Sequence, residues 1–176
     1  MQGLFRLRHA EGLALAAGWL LATAVPGAQL PEAAVDFAPP VAASLRDRYG
    51  SDETEVLRSA IVAAVARETQ RLTVPPGLTV TVTVRDIAPT RPTRRQLAEN
   101  PGIDVERTQF IGGADLTGVV RDAHGHVVAD VMYRNYPPTL GMGSIALDAW
   151  ADVRRAIDQF AAKLAAACRR ISNNPS

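Results

Sequence analysis

The run Leu78-Thr79-Val80-Thr81-Val82-Thr83-Val84-Arg85 alternates apolar and polar residues without a break. Successive side chains of a β-strand point to opposite faces, so Leu78, Val80, Val82 and Val84 share one side. The threonines and Arg85 share the other, which predicts a sheet with one buried and one wet face. Two further strands, over residues 110–121 and 127–136, flank Asp122-Ala123-His124-Gly125. Gly125 can supply the positive φ of a tight hairpin turn. The sequence leaves open whether the loop has two residues or a bulged three, so the cross-strand pairs stay undefined. Ala34-Val35-Asp36-Phe37 reads as a short first strand, stopped by Pro39-Pro40.

Helical spacing governs two other segments. After Gly50, Ser51 or Asp52 can cap, and Glu55 stands three residues after Asp52 as in a capping box. Val56, Leu57, Ala60, Ile61, Ala64 and Val65 then recur on one face up to about Leu72, before Pro75-Pro76-Gly77 turns the chain. Near the end, Trp150, Val153, Ile157, Phe160, Leu164, Ala167 and Ile171 alternate in steps of three and four, with Ser144 or Asp148 as cap. That stripe needs an apolar surface, and the valine face of the sheet offers one. The expected fold is α+β, a mainly antiparallel sheet with two helices packed on one face, in the order β-α-β-β-β-α.

The first residues add a location. Arg6, Arg8 and His9 precede an almost purely apolar stretch over residues 13–25, and Ala22-Thr23-Ala24 and Pro26-Gly27-Ala28 follow with small residues. This is the order of a secretory signal peptide, and the stretch is shorter than the ~20 residues a bilayer span requires. Residues 1–28 are therefore expected to be removed, leaving 29–176 as a single domain without a stable membrane span. No lipobox cysteine stands directly after the apolar run to carry a lipid, which points to the soluble periplasm. Cys168, the sole cysteine, has no disulfide partner and reads as a small buried thiol.

Export also changes the charge. Removing Arg6, Arg8 and Glu11 from 19 basic and 18 acidic residues leaves the two signs balanced. A neutral domain gives no general case for nucleic acid or anionic membrane, so any charged site must be local.

The helix before the Pro-Gly turn, the strand at 78–84, the hairpin at 118–133 and the terminal stretch at 150–164 together resemble small envelope domains built like the N-terminal domain of TolB. The pattern is also similar to several uncharacterised bacterial lipoprotein and periplasmic families of that architecture. The resemblance implies an envelope location. It rests on hydrophobic pattern, and the missing lipid-carrying cysteine departs from the lipoprotein members.

Chemistry is sparse. The loop at 88–108 is long for a compact domain and contains Thr90-Arg91-Pro92-Thr93-Arg94-Arg95-Gln96, then Pro101-Gly102. Thr93 and Gln96 form a capping box, predicting a short helix that starts with Arg94 and Arg95. Cations oppose the helix dipole there, which makes Arg91, Arg94 and Arg95 candidates for binding an anion such as phosphate or carboxylate. The competing reading pairs them with Asp86, Glu99, Asp104 or Glu106. His124 and His126 at the hairpin tip are the candidates for zinc or copper, although two imidazoles without further ligands also suit an ordinary polar turn. Asp115-Leu116-Thr117-Gly118 departs from an aspartic protease motif by the inserted leucine, and no Gly-x-Ser-x-Gly elbow is present.

The residues imply no cofactor. The expected role is a non-enzymatic periplasmic domain that binds an envelope protein or an anionic envelope component, through the 91–95 loop. The alternatives are a metal-binding protein or enzyme using His124 and His126, and a structural subunit docking through an exposed sheet edge.

Overall fold

The structure is a computed structural model that describes residues 30, 33–137 and 148–173. The segment read as a signal peptide lies outside the described residues, as do Ser144 and the glycines at 141 and 143. Four strands, β1 (Ala34–Phe37), β2 (Thr79–Ala88), β3 (Gly113–Arg121) and β4 (Val127–Asn135), form one sheet in chain order. β1 runs parallel to β2, and the other two pairings are antiparallel.

The chain is α+β as expected, but the sheet is mixed and the order is richer than two helices. The described residues contain α1 (Pro39–Ser44), α2 (Asp52–Thr69), α3 (Arg94–Glu99) and α4 (Ala151–Asn173), with a π-helical turn at Leu45–Tyr49 after α1. Pro39-Pro40 does end β1, yet it also starts α1. Proline suits a first helical turn, where its missing N–H has no partner to lose and its φ is already helical. Val41 and Leu45 from this segment are buried in the core.

Alternation in β2 does what its pattern predicts. Val80, Val82 and Val84 are buried, and Thr81 and Thr83 are half-buried on the other face. α4 lies on β3 and β4 and against α2, burying Val153, Ile157, Phe160, Leu164 and Cys168. Its interface widens beyond the predicted stripe to Ala156, Ala161 and Ala165, all fully buried. Gly118 in β3 makes this approach possible: a Cβ there would lie 2.8 Å from Phe160 Cζ and 3.2 Å from Leu164 Cδ1.

α2 departs from expectation in three details. It ends at Thr69 rather than Leu72, and Val56 is exposed at the margin of the stripe. The capping box is also absent: Ser51 occupies the cap without a side-chain bond. Glu55 instead accepts from Ser59 at 3.2 Å and pairs with Arg58 at 3.5 Å, neighbours along the helix surface. Glu53, by contrast, is buried and accepts the Trp150 indole N–H at 2.8 Å, while Trp150 meets Tyr49 edge-to-face at 5.6 Å. Removing that carboxylate would leave a buried N–H unpaired. Glu53→Ala is expected to lower the unfolding free energy by about 1–3 kcal/mol in denaturant titration. A change under ~0.5 kcal/mol would mean the indole finds another acceptor.

Candidate binding surface

The three arginines singled out in the loop do not share one exposed site. Arg91 is 4 % exposed, and its Nη1 donates to the backbone carbonyls of Val105 at 2.6 Å and Glu106 at 3.2 Å. It ties the two ends of the loop together through backbone carbonyls, not through the carboxylates considered from the sequence. Arg94 and Arg95 are exposed on α3, and each has an internal partner. Arg94 reaches Asp52 at 3.4 Å; Arg95 reaches Glu99 at 2.8 Å and the Arg46 carbonyl at 2.9 Å. Their charges at the start of α3 are thus offset by carboxylates, one of them from α2.

The capping box that fixes α3 forms as read from the sequence. Thr93 Oγ1 accepts from Gln96 N at 3.4 Å, and Gln96 Oε1 accepts from Thr93 N at 3.0 Å. Just upstream, Thr90 fastens the loop to the start of α4. Its N–H donates to Ala149 O at 2.7 Å, and its hydroxyl donates to Asp152 Oδ2 at 3.1 Å. Buried Thr90, Arg91 and Thr93 make this long connection an ordered structural insert.

At the hairpin tip, Gly125 adopts φ +84° and Asp122 N donates to His126 O at 2.9 Å. The loop is longer than a two-residue turn, and a bulge follows it, since Val120 pairs with Ala129 but Arg121 with Val127. The histidine rings stand 6.1 Å apart, both exposed, and no group of three or more His, Cys, Asp or Glu gathers for a metal among the described residues. Asp122 organises the turn, accepting from His124 N at 2.8 Å and His126 N at 2.9 Å. Desolvation would raise its pKa, but the two backbone N–H groups and the His126 ring outweigh this and hold the carboxyl below its ordinary 3.8. A depressed folded-state pKa means the ordering is present above the unfolded value and is lost as pH falls through the folded one. In an acid titration followed by NMR, the His124 and His126 amides should move with a midpoint below 3.8. A midpoint at or above that value would detach Asp122 from the turn.

The feature that sequence reasoning left without residues is the edge strand β4. Ala129, Val131 and Tyr133 turn inward onto the core, as alternation requires. Val128 and Met132 therefore fall on the outward positions, yet they are apolar and exposed, Met132 at 66 %. The signal was legible as two apolar residues on the phase that β4 should give to polar ones. Beside the start of β4, a groove of about 750 Å³ opens against the end of α4, its lining combining apolar Leu78, Val127, Val128 and Ile171 with charged Asp130 and Arg170, among others. Cys168 nearby in sequence is buried, and burial holds its thiol pKa above the usual range against the lowering effect of a backbone bond. No described helix is long and apolar enough to cross a membrane.

No family model matches this chain, and no curated protein matches it in sequence. Among solved structures it is similar to the crystal structure of protein XCC0632 from Xanthomonas campestris, of family DUF330. Identity is 12 % and the TM-score 0.38, over 69 % of this chain and 66 % of that one. The chain thus spans just under two thirds of that protein's length.

Proposed function

We propose that this chain is an exported, non-enzymatic domain of the cell envelope that works in the periplasm by binding an envelope protein through strand β4. The basic, apolar and small-residue order of residues 1–28 supports export, as does the resemblance of the remaining pattern to TolB N-terminal-domain-like envelope families. The observation that carries the binding role is the outward apolar pair Val128 and Met132 on an edge strand, continuous with a groove of mixed apolar and charged lining. An edge presents unpaired backbone N–H and C=O groups, and exposed apolar side chains along it suit addition of a further strand. The contact surface moves from the 91–95 loop to β4 because Arg91 is committed to backbone carbonyls and Arg94 and Arg95 to carboxylates.

Photo-crosslinking in fractionated cells tests this. A reactive residue at Met132 should give envelope-protein adducts, and one at exposed Ala63 on α2 should not. Mass spectrometry of the same material should find an N-terminus between Ala22 and Gln29. An intact Met1 would end the export reading, and a β4 probe that captures no protein would end the binding reading.

A further inference from the structure

We propose that the occupant of the β4 edge is a second copy of this chain, paired antiparallel across a two-fold axis at Met132. The inference rests on the reading of β4 as a contact surface and names its partner.

The warrant is the order of charges along the outward face of β4. Asp130 and Arg134 lie two residues to either side of Met132, both exposed. Antiparallel pairing centred on Met132 sets Asp130 opposite Arg134 of the second copy, and Arg134 opposite its Asp130. It also sets Met132 against Met132 and Val128 against Tyr136. A two-fold interface must be self-complementary, and this is the register in which the outward side chains of β4 are. Opposite charges directly across strands are favourable, and like charges there are unfavourable. Moving the axis by one residue, to Val131 or Tyr133, breaks both Asp–Arg pairs, because Asp130 then faces Met132 or Tyr136 of the second copy.

Arg134 stands over the Tyr136 ring at 5.3 Å and lies across from Asp115 of β3, yet among the described residues neither Asp130 nor Arg134 closes an ion pair within 4 Å. Tyr136 is itself anchored by donating to Asp86 at 2.8 Å, so the end of β4 is held for pairing. Met132, the most exposed of the large apolar side chains in the described residues, lies at the centre of the symmetric contact, where it is covered by its own copy. The result would be a continuous eight-stranded sheet with both copies' α4 on one side, built from two four-stranded halves.

Charge reversal and a cysteine probe test the register on the purified full chain as recovered from cells. Sedimentation velocity should show a dimer for the wild type. Asp130→Arg and Arg134→Asp should each weaken it by roughly ten-fold or more, because each change turns two symmetry-related attractions into repulsions. The double variant Asp130→Arg/Arg134→Asp should restore the dimer, which also shows that the single variants fail in pairing and not in folding. Under mild oxidation Met132→Cys should give a disulfide dimer, since facing residues of an antiparallel pair lie ~4.5–5.5 Å apart at Cα, within disulfide reach. Asp130→Cys should not, because its counterpart is Arg134. A chain that stays monomeric at all concentrations, or a dimer indifferent to the single reversals, overturns the proposal. A monomer that still crosslinks to a different envelope protein through Met132 overturns it while leaving the binding role of β4 standing.

Discussion

Phe160→Ala should lower the unfolding free energy by roughly 3–5 kcal/mol in a urea titration, the range for deleting a fully buried aromatic. Phe160 is fully buried, and its ring tip rests over Gly118 in the middle of the sheet. The truncation opens a cavity bounded on one side by β3. That strand is hydrogen-bonded to neighbours on both edges and cannot move in to fill it. Gly118→Ala should also destabilise, since its new Cβ would stand 2.8 Å from Phe160 Cζ. In the Phe160→Ala background the same methyl enters the vacated space, so its cost should shrink or reverse. A double-mutant cycle measures that coupling. A loss under ~1 kcal/mol for Phe160→Ala would overturn the docking of α4 on β3.

The second large effect separates the three arginines. Arg91→Ala should cost about 2–4 kcal/mol, because it removes a buried charged donor and strands the Val105 and Glu106 carbonyls. Arg94→Ala/Arg95→Ala together should cost at most about 1 kcal/mol, as expected for exposed ion pairs. Thermal or urea unfolding of the two variants decides the matter. An Arg91→Ala protein as stable as the wild type would show that the loop does not depend on this bridge. A double variant that loses as much as Arg91→Ala would give α3 a structural role that exposed pairs do not ordinarily have.

The sequence by itself determined the elements whose periodicity is strong. Alternation in β2 set which valines are buried, and the spacing from Trp150 onward set the face of α4, because both patterns express local geometry. The Thr93–Gln96 box was legible for the same reason: its partners are three residues apart. The short α1 was hidden by Pro39-Pro40, which serves equally as a stop and as a start. Tertiary structure alone decided what depends on distant partners. Parallel pairing of β1 with β2 has no local signature, and neither does the pairing of Glu53 with Trp150, 97 residues away. The arginines illustrate the limit best. Their place at the start of a short helix was readable, but whether their charge faced a ligand or the protein depended on where α2, Val105 and Glu106 came to lie. Electrostatic partners are chosen by folding across the chain, and sequence spacing reports only those within a turn or two of helix or strand.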